Sequence, residues 1–286
     1  MAQGYSRIVA PTRTELDLEN RDAVISYFKQ ERAATVFHLA ARVFGLKGNI
    51  ENQRSSFGSN VSINCNVVDA CVEAGVQRII AAGTVAAYGF PFVRLPLQEE
   101  DFWIGEPHGG EYGYSVAKRL MLSHLNLLAM AGCSYSFSYC ALTNLYGPKD
   151  NFKDDLGHVV PGLVRKGIQA KRTGSVLEVW GDGTQVRDFL YVQDAARALI
   201  LVGRSAYRGL INVCSGQPKS LMDLVSHIKE AIGSDIRIRW RHDMPVGIRE
   251  RSVNGQRLRD LGFCQITSLG DGINKTVRWV ESTGLL

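Results

Sequence analysis

Glycine is scarce where a nucleotide-binding loop would need it. Gly4 is the only glycine among the first forty of 286 residues, although the chain holds 29. A GxGxxG turn, whose backbone cradles a pyrophosphate against a helix N-terminus, is therefore excluded from the opening segment. The six cysteines, at 65, 71, 133, 140, 214 and 264, form no CxxC. That spacing argues against a redox pair or a zinc site and suits reduced thiols in a cytoplasmic protein. No apolar run is long enough to span a bilayer and no signal peptide opens the chain, so no membrane partner is expected. Lys and Arg (33) exceed Asp and Glu (28) only slightly, and they are scattered. A nucleic-acid surface concentrates its basic residues, so none is expected here; an anionic small substrate accounts for the excess.

What is present is an alternation of short β-rich runs with helical patterns. Residues 6–10, 34–39, 78–82 and 135–142 read as buried strands, and 21–32, 59–73 and 112–130 carry apolar positions at helical spacing. Strand and helix in regular alternation predict an α/β fold, a Rossmann-like parallel sheet with helices on both faces. Beyond about residue 147 the rhythm loosens. Helices at 158–170, 193–202 and 221–232 mix with short strands at 209–214 and 235–240. The expected organisation is a main domain over residues 1–150 and a smaller C-terminal lobe over 151–286, interleaved with returns to the main sheet.

One constellation carries chemistry. Tyr114 and Lys118, in the run Tyr-Ser-Val-Ala-Lys, stand one helical turn apart on a single face. An ammonium beside a phenol favours the phenolate, which predicts a lowered Tyr114 pKa and an acid/base able to exchange a proton with a sugar hydroxyl. The predicted strand at 78–82 runs into Gly83 and Thr84. A hydroxyl at the C-terminal tip of a parallel strand lies where open α/β sheets bind ligands. Taken singly, Thr84 also reads as a turn hydroxyl bonding its own backbone.

Together, Thr84, the following Tyr88-Gly89 and Tyr114-xxx-Lys118 resemble the Ser/Thr–Tyr–Lys triad of the extended short-chain dehydrogenases, the NAD-dependent epimerase/dehydratase family. The later runs 143–152, 158–161 and 179–189 resemble its GDP-L-fucose synthase branch, and the likeness extends from about residue 7 to 261. The resemblance implies an NADPH-dependent nucleotide-sugar reductase or epimerase, with NAD possible, acting on a nucleoside-diphosphate sugar as a homodimer. Carried over by position, Thr84, Tyr114 and Lys118 run the reduction, and His158 is an acid/base for epimerisation. Arg13, Asp17, Leu18, Leu39, Ala40 and Ala41 contact the cofactor with Tyr114 and Lys118. Asn144, Lys166, Trp180 and Arg187 hold the sugar nucleotide with Thr84 and His158. Arg249 and Arg251 read as solvated members of a basic loop.

Two departures qualify that picture. The family's second epimerisation group is a cysteine at the position of Ala86, and alanine transfers no proton. The missing glycine loop removes the strand that would lie at the sheet centre, and unpaired buried backbone groups cost about 1–3 kcal/mol each. The chain therefore reads as lacking about 20–30 residues of its first βα unit. Val85-Ala86 supplies no carboxylate, which argues against a 4,6-dehydratase. A UDP-sugar 4-epimerase and a catalytically dead scaffold stand as alternatives.

Overall fold

In the strand Arg78–Thr84, neighbouring isoleucines serve opposite layers. Ile79 and Ala81 join one buried cluster, Ile80 another. The strand Ser136–Leu142 repeats the alternation, with Phe137, Tyr139 and Ala141 on the first side and Cys140 on the second. Successive side chains of a strand point to opposite faces, so a strand apolar at every position must be covered twice. The computed structural model describes residues 7–152, 157–233, 235–244 and 246–285, and it shows that covering. Helices Arg21–Glu31, Gln53–Glu73 and Tyr112–Met130 pack on one face. Helix Val192–Arg204 and the short helix Gln256–Asp260 cover the other.

The sheet is parallel, in the order Thr35–His38, Arg78–Thr84, Ser136–Leu142, Gly209–Val213. The last strand arrives after most of the lobe has been built, which is the expected return to the main sheet. The expected strand at 6–10 does not form. Residues 7–10 are exposed and carry no strand, while Ser6 lies outside the described residues. The reason is the absent neighbour: among the described residues, Thr35–His38 pairs only with Arg78–Thr84, and an apolar run without a ladder partner gains nothing from extending. The helix expected at 59–73 begins earlier, at Gln53, and the expected strand at 235–240 is Ile238–Arg241.

A second core fills the lobe. Helices Val159–Thr173, Leu221–Ile232 and Leu269–Thr283 bury Val164, Ile168, Leu224, Ile228, Ile273 and Val277 together. Each of the last two helices starts on a serine whose hydroxyl accepts a backbone N–H three residues on, Ser220 from Asp223 and Ser268 from Asp271. Short strands tie the lobe's inner face. Leu177–Trp180 pairs with Ile238–Arg241, and Val186–Arg187 lies between Lys219–Ser220 and Glu250–Arg251. No described helix is long and apolar enough to cross a membrane.

Two glycines set the approach of elements near the C-terminal end of the sheet. A Cβ on Gly83 would run into the Tyr139 ring, and one on Gly113 into the Gln53 carbonyl. Gly113 thus lets the start of Tyr112–Met130 abut the start of Gln53–Glu73, where Gly113 N–H donates to Gln53 Oε1 at 2.7 Å. That contact fixes where Tyr114 stands.

Candidate active site

Strand Arg78–Thr84 ends in a single 3-10 turn, Val85–Ala87, capped by Thr84, whose Oγ accepts the Ala86 N–H at 3.1 Å. The turn-hydroxyl reading of Thr84 is thus correct, but only in part. A hydroxyl that accepts one bond still donates another, and Thr84 bonds the phenol of Tyr114. Helix Tyr112–Met130 is pinned to the same turn by Ser115 Oγ, which donates to the Ala86 carbonyl at 3.0 Å. One turn on, Lys118 is almost fully buried. Its Nζ donates to the Ala82 carbonyl at 2.8 Å and stands 5.9 Å from the centroid of the Tyr114 ring. Thr84, Tyr114 and Lys118 therefore converge as expected.

The electrostatics correct the expectation. The Tyr114 pKa is raised, not lowered: burial pushes it up, the Glu111 carboxylate adds to this, and the Thr84 bond opposes both. The ammonium lies over the ring face, bound to the Ala82 carbonyl, rather than at the phenol oxygen. Burial also depresses Lys118, to about 8. Behind it sits His38, on the strand beside Ala81. Its Nε2 is 2.9 Å from Asn64 Oδ1, and Asn64 Nδ2 donates to the Ala117 carbonyl at 3.3 Å. Burial, then the neighbouring Lys118, lowers His38 to about 4, so this imidazole is neutral.

Thr84, Tyr114 and Lys118 line one wall of a cavity of about 630 Å³, with His38 behind that wall and outside the lining. The lobe adds His158, Lys166, Trp180 and Arg187 to the cavity lining, and Asn144, just before the lobe, lines it too. His158 precedes helix Val159–Thr173 and makes no capping bond with its side chain. Trp180, at the end of its strand, is 36% exposed toward the cavity, a wall and not a core aromatic. Arg187 donates to the Val186 carbonyl at 2.8 Å, and burial, then the charge of Arg251, lowers it to about 10.

Arg251 corrects the solvated reading. It is the register partner of Arg187 on the adjacent strand, is only 8% exposed, and pairs with Glu111 at 2.6 Å. Burial works to raise Glu111, but Arg251 and then Arg187 outweigh it and hold the carboxyl below its ordinary range. Arg249, two residues earlier, is exposed as expected. Glu111, Arg251 and His108 all line the cavity and were missed. The only signal was Glu111 standing three residues before Tyr114; a two-residue strand gives no periodicity that would turn Arg251 inward.

The adenosine-side residues are not brought together. Arg13 and Asp17 are exposed, outside the cavity. Leu18 packs against the main core, and its carbonyl accepts from Asn66 Nδ2 at 2.9 Å. Leu39 and Ala41 line the cavity, whereas Ala40 between them does not. The cause is again the missing strand pairing: residues 12–15 close on themselves, with the Thr12 N–H donating to Glu15 Oε2 at 2.7 Å. The nicotinamide end of a dinucleotide nevertheless fits. Lys118 spends one N–H on Ala82, and two remain for ribose hydroxyls beside Tyr114.

The model of the NAD dependent epimerase/dehydratase family matches residues 2–214. This chain belongs to that family. Among its relatives, GDP-L-fucose synthase 1 of Arabidopsis thaliana is 31% identical, with 97% of this chain and 86% of the relative covered. The GDP-L-fucose synthase of Escherichia coli K12 is 29% identical, over 97% of this chain and 89% of the relative. The crystal structure of a GDP-L-fucose synthetase from Naegleria fowleri bound to NADP superposes with a TM-score of 0.88 at 29% identity, covering 97% of this chain and 85% of that one.

Proposed function

We propose that this chain is an NADPH-dependent reductase of a GDP-4-keto-6-deoxyhexose. The observation that carries the reading is the pairing of two unlike walls: a protonated phenol with a buried ammonium on one side, and Arg187, Arg251 and Trp180 on the other. Bound NADPH supplies the hydride. Tyr114 donates the proton to the C4 oxygen as C4 is reduced, and its raised pKa keeps that proton available at neutral pH. Thr84 orients the same oxygen, and Lys118 holds the ribose hydroxyls. Arg187 and Lys166 neutralise the diphosphate, Trp180 flanks the base, and Asn144 binds the sugar.

His158 provides one acid/base group. Ala86, lining the cavity at 5% exposure, provides none, so C3 and C5 are not both epimerised by the family route. The remaining assignments follow the same reading. Residues 1–150 act as the cofactor-binding domain and 151–286 as the substrate lobe. Helices Gln53–Glu73 and Tyr112–Met130, with Leu127 and Met130 exposed on the second, suit a homodimer, and six unpaired cysteines suit the reducing cytoplasm.

The test is NADPH oxidation by the full chain against GDP-, UDP- and dTDP-4-keto sugars in deuterated water. Turnover with the GDP sugar, and deuterium absent from at least one of C3 and C5, is expected. Interconversion of a UDP-sugar without net NADPH consumption would replace the proposal with a 4-epimerase.

A further inference from the structure

Beyond the triad and His158, a further polar side chain in the cavity has its orientation set by the backbone. His108 lies in the segment joining the Val85–Ala87 turn to helix Tyr112–Met130. An antiparallel bridge between Gly89 and Pro107, with Phe90 N–H donating to the Glu106 carbonyl at 2.7 Å, folds this segment back beside the turn that holds Ala86. The ring is packed edge-to-face on Phe90 at 5.3 Å between centroids. Its Nδ1 accepts the Gly110 N–H at 3.2 Å, capping the turn Gly109–Glu111.

That bond decides the chemistry. A ring nitrogen that accepts from a backbone N–H cannot carry a proton itself, so in the neutral ring the hydrogen is on Nε2. Protonating Nδ1 would set two N–H groups against each other. The Nε2–H is therefore a donor, and it has no protein partner among the described residues, while the side chain lines the cavity. The charged groups around it are Glu111 on its own turn and Arg251, which is bonded to Glu111.

We propose that His108 is a hydrogen-bond donor, through Nε2, to an oxygen of the bound sugar, positioned beside the alanine at 86 and serving recognition and not proton transfer. The inference rests on the reading of the cavity as a nucleotide-sugar site. It also restricts that site, because an imidazole locked in this tautomer does not restore the proton transfer that Ala86 lacks. The preferred substrates are then sugars bearing an oxygen at the position His108 faces, and the corresponding deoxy sugars bind less well.

Two substitutions separate the roles. His108→Gln keeps an N–H donor at the reach of Nε2 but cannot titrate; His108→Phe keeps the ring packing on Phe90 and removes the donor. With GDP-4-keto-6-deoxymannose and NADPH, His108→Phe is expected to lower kcat/KM about tenfold. His108→Gln is expected to recover most of that loss, with a pH profile of unchanged shape. Nitrogen-15 shifts of labelled histidine in the wild type should report a protonated Nε2. His108→Gln as impaired as His108→Phe, with one limb of the pH profile gone, would make His108 a proton carrier and overturn the proposal. So would His108→Phe turning over like wild type. If the wild type does not reduce the substrate at all, the proposed function has failed. Calorimetric binding of GDP-mannose to the wild type and His108→Phe then still decides His108: weaker binding by the variant supports it, and equal binding sinks it.

Discussion

The two walls of the cavity solve opposite electrostatic problems. The sheet-side wall suppresses charge: Tyr114 is held neutral, as is His38 behind the wall, and Lys118, its one ammonium, is drawn down to about 8. The lobe-side wall gathers charge, setting Arg187 and Arg251 side by side in register with only Glu111 between them. The first arrangement suits proton donation, because it keeps the phenol proton in place until a stronger base forms beside it. The second suits holding an anion, where the cation must stay charged. The division of labour follows from the charges each side supplies: the triad sits at the end of a fully covered sheet with a single ammonium, whereas the lobe's short strands set two guanidiniums in register.

The strongest way to break this comparison is Tyr114→Phe. It should lower kcat by about 10³-fold while calorimetric GDP binding stays as in the wild type. A variant that loses binding in proportion would show that the walls are not separable. Next in size is a stability effect on the sheet-side wall. His38 stays neutral in the fold down to about 4, while its ordinary value is 6.5. Between those values the unfolded chain takes up a proton that the folded one refuses. Stability is thus full above 6.5 and falls as the pH drops toward 4, by about 3 kcal/mol. Urea unfolding of His38→Gln at pH 7 and pH 4.5 should show a much smaller difference than the wild type; an unchanged difference would locate the acid sensitivity elsewhere.

On the lobe-side wall, Arg187→Met should raise KM for the GDP sugar by roughly tenfold or more, with kcat changed little. The wild-type KM should rise with salt where kcat does not, since screening weakens the attraction of the free anionic substrate to this wall. A fall in kcat instead of a rise in KM would assign Arg187 to the chemistry. The smallest effect is expected from Trp180→Ala, a few-fold loss of GDP affinity from a half-exposed aromatic face. Equal affinity would mean that the base lies against another part of the cavity.

The sheet-side wall was the legible one, for a local reason. Tyr114 and Lys118 are coupled by one helical turn, Thr84 follows directly from the end of an apolar strand, and the family resemblance grouped the three. Helix Tyr112–Met130 and the strand Ser136–Leu142 also lie close to where the apolar pattern puts them. The expected strand at 6–10 failed because a pattern describes which face a strand would bury, not whether a neighbour exists to receive its hydrogen bonds.

By itself, then, the sequence determined the layers, the triad and the absence of a proton carrier at position 86. The layers depend on side chains that alternate along one strand and the Tyr114–Lys118 pair on one helical turn, while Thr84 was joined to them by the family resemblance. Only the tertiary structure decided the direction of the Tyr114 shift, the inward turn of Arg251, the backbone bond that orients His108 and the distance of Arg13 from the cavity. Each of those depends on burial or on a partner far along the chain, and Glu111 and Arg251, 140 positions apart, are joined by nothing but the fold.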